Sequence, residues 1–400
     1  MSKLDELIAE FCPDGVEYRR VGDIADYEQP SKYLVKSTDY NDNFEIPVLT
    51  AGQTFILGYT NEKEGIYNAS PEKPVIIFDD FTGAFKWVDF PFKAKSSAMK
   101  MITSKSDVLI RYLYHLMGFL NYSSDEHKRL WISVYSELQV PVPHLEVQRE
   151  IVHILDSFTL LTAELTAELT ARKKQYEFYR DNLIKKEQHI SEVKKLADVA
   201  NIYDSLHQTP SYSNSGYSMV RVQDIKGGYV DEDKTLKVDE SVWNLFTQKY
   251  TPRLNDIVVS RVGSYGNFAL IPNDKCCLGQ NVALIHPNIN PKYLYHVLMS
   301  TMTKQWINNN VKGASQKSFS LADIKRVPVP VPKENIQQRI AEVLDNFEAI
   351  CTDLNIGLPA EIEARQKQYE YYRDLLLTFA ETGSTLMTDR QTDRQTDRQS

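Results

Sequence analysis

The chain has 400 residues, with 46 Lys and Arg against 54 Asp and Glu for a net charge of -8; 42% of it is hydrophobic and 25% charged. That length asks for two domains, and the composition excludes wholesale disorder and a globally positive surface, so any DNA affinity must come from local patches or partner chains. No apolar run approaches the roughly 20 residues of a membrane helix, the first ten residues hold no signal-peptide core, and Cys12, Cys276, Cys277 and Cys351 form no Cys-x-x-Cys pair, so a cytoplasmic chain without membrane contact, disulfide framework or zinc ribbon is expected.

In chain order, Thr50-Ala-Gly-Gln-Thr54 reads as a flexible loop, Pro74-Val-Ile-Ile-Phe78 as a buried strand, and Asp79-Asp-Phe-Thr-Gly83 as a polar turn. Lys86, Lys93, Lys95 and Lys100 then alternate with Phe85, Trp87, Phe90 and Phe92. Val140-Pro-Val-Pro143 predicts a stiff extended exit, because proline fixes φ and cannot enter a helix interior. Val147, Ile151, Ile154, Phe158, Leu161 and Leu165 follow the 4-3 spacing of a coiled-coil seam. Leu169 comes after four residues, inside the tandem Thr162-Ala-Glu-Leu-Thr-Ala-Glu-Leu169, a stutter that unwinds a supercoil without breaking the helix. In the second half Asp256-Ile-Val-Val-Ser260 reads as a strand, Arg261-Val-Gly-Ser-Tyr-Gly-Asn267 as its turn, and Val327-Pro-Val-Pro-Val-Pro332 as a second exit. A second seam runs from Ile336 to Leu376, and Gly357 and Pro359 should interrupt it. The tail Thr388–Gln399 repeats Thr-Asp-Arg-Gln and should be disordered; a slippage-prone ACAG tract would encode that period.

These segments belong to an internal duplication. Ala171–Ile184 and Ala364–Leu377 agree at ten of fourteen positions. Pro141-Val-Pro143, Gln148, Ile151, Leu155-Asp156 and Phe158 recur as Pro330-Val-Pro332, Gln337, Ile340, Leu344-Asp345 and Phe347. Arg111-Tyr-Leu-Tyr-His115 recurs as Lys292-Tyr-Leu-Tyr-His296, and Glu17–Ala25 echoes Glu192–Ala200. Two copies suggest one polypeptide imitating a two-fold pair. The helical parts agree while 26–110 and 201–290 share little, which points to one scaffold carrying two different readers. A helix over 146–187 would span about 60 Å and could act as a ruler between them; on the helix alone, a dimerisation stalk or simple core helix is the favoured reading.

With two unlike globular regions, two like helices, Val-Pro-Val-Pro followed by Gln-Arg-Glu-Ile or Gln-Gln-Arg-Ile, and tandem Thr-Ala-Glu-Leu, the chain resembles the specificity subunit of type I restriction–modification systems over residues 5–380. The resemblance implies an α+β fold: two target-recognition domains of mixed α/β structure joined by two long helices that form an antiparallel coiled coil, with internal pseudo-two-fold symmetry. The domains would be 1–145 and 191–333, the helices 146–190 and 334–380, and the tail 381–400. Each recognition domain would read one half of a bipartite site in double-stranded DNA, and the helices would set the spacer and dock two methyltransferase subunits. Restriction subunits would complete an ATP-dependent endonuclease. S-adenosylmethionine would then belong to the methyltransferase partner and ATP with magnesium to the restriction partner, leaving this chain non-catalytic and without cofactor or metal. A coiled-coil scaffold that reads no DNA is the alternative.

The expected DNA-contacting residues are Gln53, Thr54, Thr82, Lys86, Lys93, Lys95, Lys128 and Arg129 in the first head, and Arg261, Ser264, Tyr265, Asn267, Gln280, Asn281 and Lys317 in the second. Arg pairs with guanine and Asn or Gln with adenine, while the lysines suit phosphates. Leu165, Leu169, Tyr176, Tyr179, Arg180, Tyr369, Tyr372 and Arg373 are expected in coil packing and partner docking. Pro13-Asp14 with Glu17-x-Arg19 only imitates a nuclease motif, Asp79-Asp80 has no counterpart pair in the second head, and His115 and His296 read as satisfied core residues rather than metal ligands. No phosphate loop, dinucleotide fingerprint or Asn-Pro-Pro-aromatic tetrapeptide occurs.

Overall fold

The computed structural model describes residues 2–52, 54–120, 129–311, 318–353 and 356–382. By its internal contacts the chain divides into two compact units, one formed by residues 1–163 and 364–400 and the other by 164–363. Each unit therefore combines a globular head with helical segments from both repeats.

The first unit opens with α1 (Lys3–Phe11), β1 (Glu17–Arg20) and α2 (Val21–Ile24). The head follows: β2 (Ala25–Glu28), β3 (Ile46–Leu49), β4 (Ile56–Thr60), β5 (Val75–Asp79), β6 (Phe85–Val88), β7 (Lys93–Ala94) and β8 (Met99–Ser104). Then come α3 (Ile110–Leu120), α4 (Leu130–Ser133), β9 (Gln139–Val142) and the long α5 (Leu145–Ile190), whose first part lies in this unit. The strands make a four-stranded sheet β2-β8-β5-β6, a three-stranded sheet β4-β3-β7 and a ribbon β1-β9. The apolar run in β5 is continuous because both of its faces are covered: Ile76 and Phe78 join the cluster that holds α3 and the start of α5, while Val75 and Ile77 join the cluster between the two sheets. Phe78 meets Trp131 and Tyr135 edge-on, at ring-centroid distances of 5.5 and 4.8 Å.

The second unit repeats this plan with β10 (Glu192–Lys195), α6 (Leu196–Val199), β11 (Ala200–Asp204), β12 (Tyr217–Val220), β13 (Leu236–Val238), α7 (Glu240–Thr247), β14 (Ile257–Ser260), β15 (Phe268–Leu270), β16 (Cys276–Leu278) and β17 (Val282–Pro287). Helices α8 (Pro291–Met299), α9 (Thr301–Asn310) and α10 (Leu321–Arg326), strand β18 (Pro328–Val331) and α11 (Glu334–Thr352) follow, and α12 (Leu358–Thr382) returns to the first unit. Its sheets are β11-β17-β14-β15, β13-β12-β16 and β10-β18. In both heads the four-stranded sheet is antiparallel throughout, and the three-stranded sheet has one antiparallel and one parallel pair. Heads whose sequences share little are thus copies of one topology.

The Val-Pro exits are edge strands in two-stranded ribbons, where a missing proline N–H costs nothing. Tyr18 opposes Pro141 and Val193 opposes Pro330, so the two weakly echoing blocks at the start and end of each repeat are partners in space. Helix α5 runs unbroken through the stutter. The expected interruption in the second seam lies between α11 and α12, where Pro359 occupies the first turn of α12 and is tolerated. The repeat tail from residue 383 onward lies outside the described residues, as do Gln53, Lys128 and Lys317.

Candidate DNA-reading turns and the junctions behind them

In the second head the turn after β14 is a closed hydrogen-bonded loop. The buried Ser260 hydroxyl donates to the Ser264 carbonyl at 2.5 Å and accepts from the Asn267 N–H at 3.0 Å. Gly263 and Gly266 adopt φ of +74° and +76°, which glycine reaches without strain. The Arg261 N–H donates to the Asn281 carbonyl at 2.9 Å and the Phe319 N–H to the Arg261 carbonyl at 2.8 Å, so the turns at 261–267 and 280–281 and the chain at 319 form one cluster. The structure thus brings Arg261, Ser264, Tyr265, Asn267, Gln280 and Asn281 together. Ser264, Asn267 and Gln280 are exposed. The Arg261 guanidinium is ion-paired with Asp204 and reaches the Phe319 carbonyl at 3.4 Å. It braces the cluster rather than standing free to read guanine.

The first head has the same turn in different chemistry. The Asp79 carboxylate accepts the N–H groups of Phe81 and Thr82, each at 2.9 Å, and Gly83 closes the turn at φ +73°. This Asx-type closure explains the Asp79-Asp80 pair without a metal. Asp80 turns inward: one oxygen accepts the Trp131 N–H at 2.9 Å and the other pairs with Lys100 at 3.2 Å, both side chains being buried. Since Asp80 also accepts the Leu130 N–H through its carbonyl at 2.7 Å, exposed Thr82 and Arg129 belong to one cluster. Exposed Thr54 and Lys95 form a second: the Lys95 N–H donates to the Leu49 carbonyl at 3.0 Å, next to the 50–54 loop, and its ammonium reaches the Tyr40 hydroxyl at 3.2 Å. Lys86 is half-buried on β6.

The expectation that the lysines of the first head face phosphates needs correction at Lys93. Lys93 is 1% exposed, its ammonium held by the Glu64 carbonyl at 2.6 Å and the Glu62 carboxylate at 2.8 Å. Burial opposes ionisation of Glu62, but Lys93 and the N–H groups of Ser37 and Lys36 outweigh it and hold the carboxyl at about 2. Arg111 is likewise committed to Asp156. Lys93 and Lys100 therefore face carboxylates inside the protein, and Arg111 faces a half-buried one, rather than phosphates.

Behind each head lies a junction built from the residues that recur. In the first unit both nitrogens of the fully buried His115 are engaged: Nε2 with Asp156 at 2.9 Å and Nδ1 with the Tyr369 hydroxyl at 2.9 Å. In the second, His296 Nε2 meets Asp345 at 2.8 Å and Nδ1 meets the Tyr176 hydroxyl at 3.0 Å. Burial pulls the two aspartates upward, but His115 with Arg111, and His296 with Lys292, outweigh it and keep the carboxyls below their ordinary range. An ionised carboxylate only accepts, so Nε2 carries the proton and Nδ1 accepts from the phenol. Burial pushes the Tyr369 phenol up to about 12 and Tyr176 in the same direction, which keeps both as donors. Arg373 and Arg180 stack over Tyr369 and Tyr176. Tyr112 and Tyr293 donate to the carbonyls of Pro141 and Pro330 at 3.0 and 2.9 Å; Gln148 and Gln337 donate to those of Pro143 and Pro332, each at 2.8 Å.

Each variable head is grafted onto its junction differently. In the first unit Arg111 stacks on Trp87 and Tyr114, with its guanidinium 4.7 and 4.9 Å from the ring centroids. In the second the Tyr295 hydroxyl accepts the Gly228 N–H at 2.6 Å and donates to the half-buried Glu348 at 3.0 Å. His296, Asp345 and Glu348 offer ligand atoms within 4.8 Å of one another. Both imidazole nitrogens are already used there and Lys292 holds the other Asp345 oxygen, which makes this a hydrogen-bond network.

Tyr176 and Arg180, expected to divide between packing and docking, are buried and belong to the junction. Tyr179 and Tyr372 are exposed; Tyr179 meets Phe347 at a tilt, 5.5 Å between centroids, and Tyr372 stacks on Phe158 at 5.1 Å, while Leu165 is buried and Leu169 half-buried. In the second unit α5 and α11 run antiparallel: the electrostatic neighbours of Cys351 are Arg172 and Lys173, whereas Tyr179 meets the earlier Phe347.

Residues 13–172 and 190–364 match the family described as the type I restriction modification DNA specificity domain. The chain is 44% identical over 401 residues to the type I restriction enzyme EcoR124I/EcoR124II specificity subunit of Escherichia coli, covering 95% of this chain and 97% of that one. It is 28% identical to a chain of Haemophilus influenzae named as a type I restriction enzyme specificity subunit, covering 91% and 96%. Among solved structures, the type I restriction–modification S subunit from M. genitalium superposes with a TM-score of 0.52 at 13% identity over 91% of this chain and 96% of that one, a likeness of fold. The scaffold alternative finds no support among these relatives.

Proposed function

The chain belongs to the type I restriction–modification DNA specificity family, and from that premise we propose that its two heads each read one half of a bipartite, asymmetric site in double-stranded DNA. The observation that carries this reading is the pairing of one shared strand order with two unlike turn clusters: Thr54, Thr82, Lys95 and Arg129 on one head, Ser264, Asn267 and Gln280 on the other. Equal frames with unequal contact residues suit two different half-sites.

The arms carry the second part of the reading. A Thr-Ala-Glu-Leu unit adds four residues, about 6 Å of helix, and B-DNA rises about 3.4 Å per base pair, so one unit is a step of one or two base pairs. The repeated, exposed aromatic pairs Phe178–Tyr179 and Tyr371–Tyr372 are the surfaces we assign to two copies of a methyltransferase subunit. That partner would bring S-adenosylmethionine and modify adenine. Restriction subunits would bring ATP and magnesium, while this chain supplies address and spacing in the cytoplasm. Among the described residues no helix is long and apolar enough to cross a membrane.

Deleting residues 166–169 tests the reading. Mapping of methylated adenines is expected to return both half-sites unchanged with a spacer shorter by one or two base pairs. Altered half-sites with the original spacer would refute it.

A further inference from the structure

The two Tyr–His–Asp networks have a property that their individual chemistry does not explain. In each, the histidine and aspartate come from one repeat and the tyrosine from the other: His115 and Asp156 with Tyr369, His296 and Asp345 with Tyr176. Each network therefore ties a named position on α5 to a named position on the α11–α12 arm. Along the arms, the difference in length between the repeats lies between the ties. On α5, Asp156 and Tyr176 are 176 − 156 = 20 residues apart and bracket the tandem repeat at 162–169. On the other arm, Asp345 and Tyr369 are 369 − 345 = 24 apart and bracket the break between α11 and α12. The four-residue excess is the length of one repeat unit.

Buried apolar packing along the stretch of α5 between the ties is sparse. Leu165, at 9% exposure, is its one side chain in the buried core, and Leu160 is 62% exposed. A sparse apolar seam tolerates sliding, because dispersion contacts are non-directional; a buried imidazole with both nitrogens satisfied does not, because moving either partner leaves a polar atom unpaired. A slip of one four-residue step would also replace the phenols by Arg172 or Arg180 and by Arg365 or Arg373, adding a cation beside Lys292 or Arg111.

We propose that the paired Tyr–His–Asp networks are the register pins of the measuring arms, so that Tyr176 and Tyr369 are positioning residues for DNA spacer length. This rests on the bipartite reading above. The pins fix the two ends of the measured segment, the number of Thr-Ala-Glu-Leu units sets its length on α5, and the interruption between α11 and α12 takes up the mismatch on the opposite arm.

The test uses the full chain assembled with its methyltransferase partner, on duplexes that carry the mapped wild-type half-sites with the native spacer, one base pair fewer and one more. Wild type methylates the native spacer. Tyr176→Phe/Tyr369→Phe keeps both rings but removes both hydroxyls; its methylation of the off-length duplexes, relative to native, is expected to rise about tenfold with the half-sites unchanged. The single variants give the same shift in smaller measure and serve if the double variant does not assemble. Leu165→Ala, which weakens packing without touching a pin, is expected to lower activity on all three duplexes alike. Unchanged spacer discrimination in the tyrosine variants, a uniform loss on every duplex, or equal relaxation by Leu165→Ala would overturn the pins. A wild-type complex that marks no bipartite duplex would instead overturn the functional reading itself.

Discussion

Lys93 and Lys95 stand two residues apart and do opposite work. Alternation with aromatic residues makes both look like phosphate ligands, but β7 ends at Ala94, so strand periodicity holds for Lys93 and not for Lys95. Lys93→Ala leaves the half-buried Glu62 carboxylate without its ammonium partner and is expected to cost roughly 1–3 kcal/mol of stability, read by chemical unfolding, with the salt dependence of DNA binding unchanged. Lys95→Ala is expected to do the reverse: stability within about 0.5 kcal/mol of wild type, and a log–log salt slope of DNA affinity shallower by about one. His115 yields a pH prediction. Burial, reinforced by Arg111 and Arg373, holds its pKa below the ordinary 6.5 against the pull of Asp156. The folded state therefore binds its proton less readily than the unfolded state, and the associated stability is complete above pH 6.5 and lost as pH falls toward the lower folded value. His115→Gln is expected to flatten that part of the pH–melting curve; an unchanged slope would place the titration elsewhere. Both histidines were legible as buried, satisfied residues. Their partners were not, because Tyr369 and Tyr176 lie more than a hundred positions away on the other repeat, and the matched blocks carry four different offsets that hide which copies touch.

Elements with strong local signals were legible in proportion to that signal. The 4-3 seam marks α5, and proline marks the extended exits and the break near 357–359. What periodicity could not show is that each exit pairs with the strand at the start of its own repeat, since that pairing spans more than a hundred residues. The common topology of the heads was hidden for a related reason: their strands are two to six residues long, and strands and turns alike share few residues between the two copies. At the arm break, a Cβ on Gly357 would stand 2.6 Å from the Asp353 carbonyl oxygen and 2.8 Å from that of Ala349, both backbone atoms. Gly357→Ala is therefore expected to destabilise the second unit by roughly 1–2 kcal/mol, measured by thermal unfolding. An unchanged melting point would mean that the α11–α12 junction adjusts freely.

For the whole molecule, duplication followed by divergence explains why constancy and variation are so sharply divided. The recurring residues build the ribbons, the glutamine and tyrosine ties to the exits, and the His-centred networks. The residues that do not recur build the strands and turns of the heads. A chain organised this way can change what it reads without changing how its parts are mounted, and change its spacing without changing what it reads. Genome-wide mapping of methylated adenines in a host carrying this chain and its methyltransferase partner tests that claim most directly. One motif is predicted, with two dissimilar specific halves separated by a fixed run of unread base pairs. A continuous motif, or two identical halves, would contradict it.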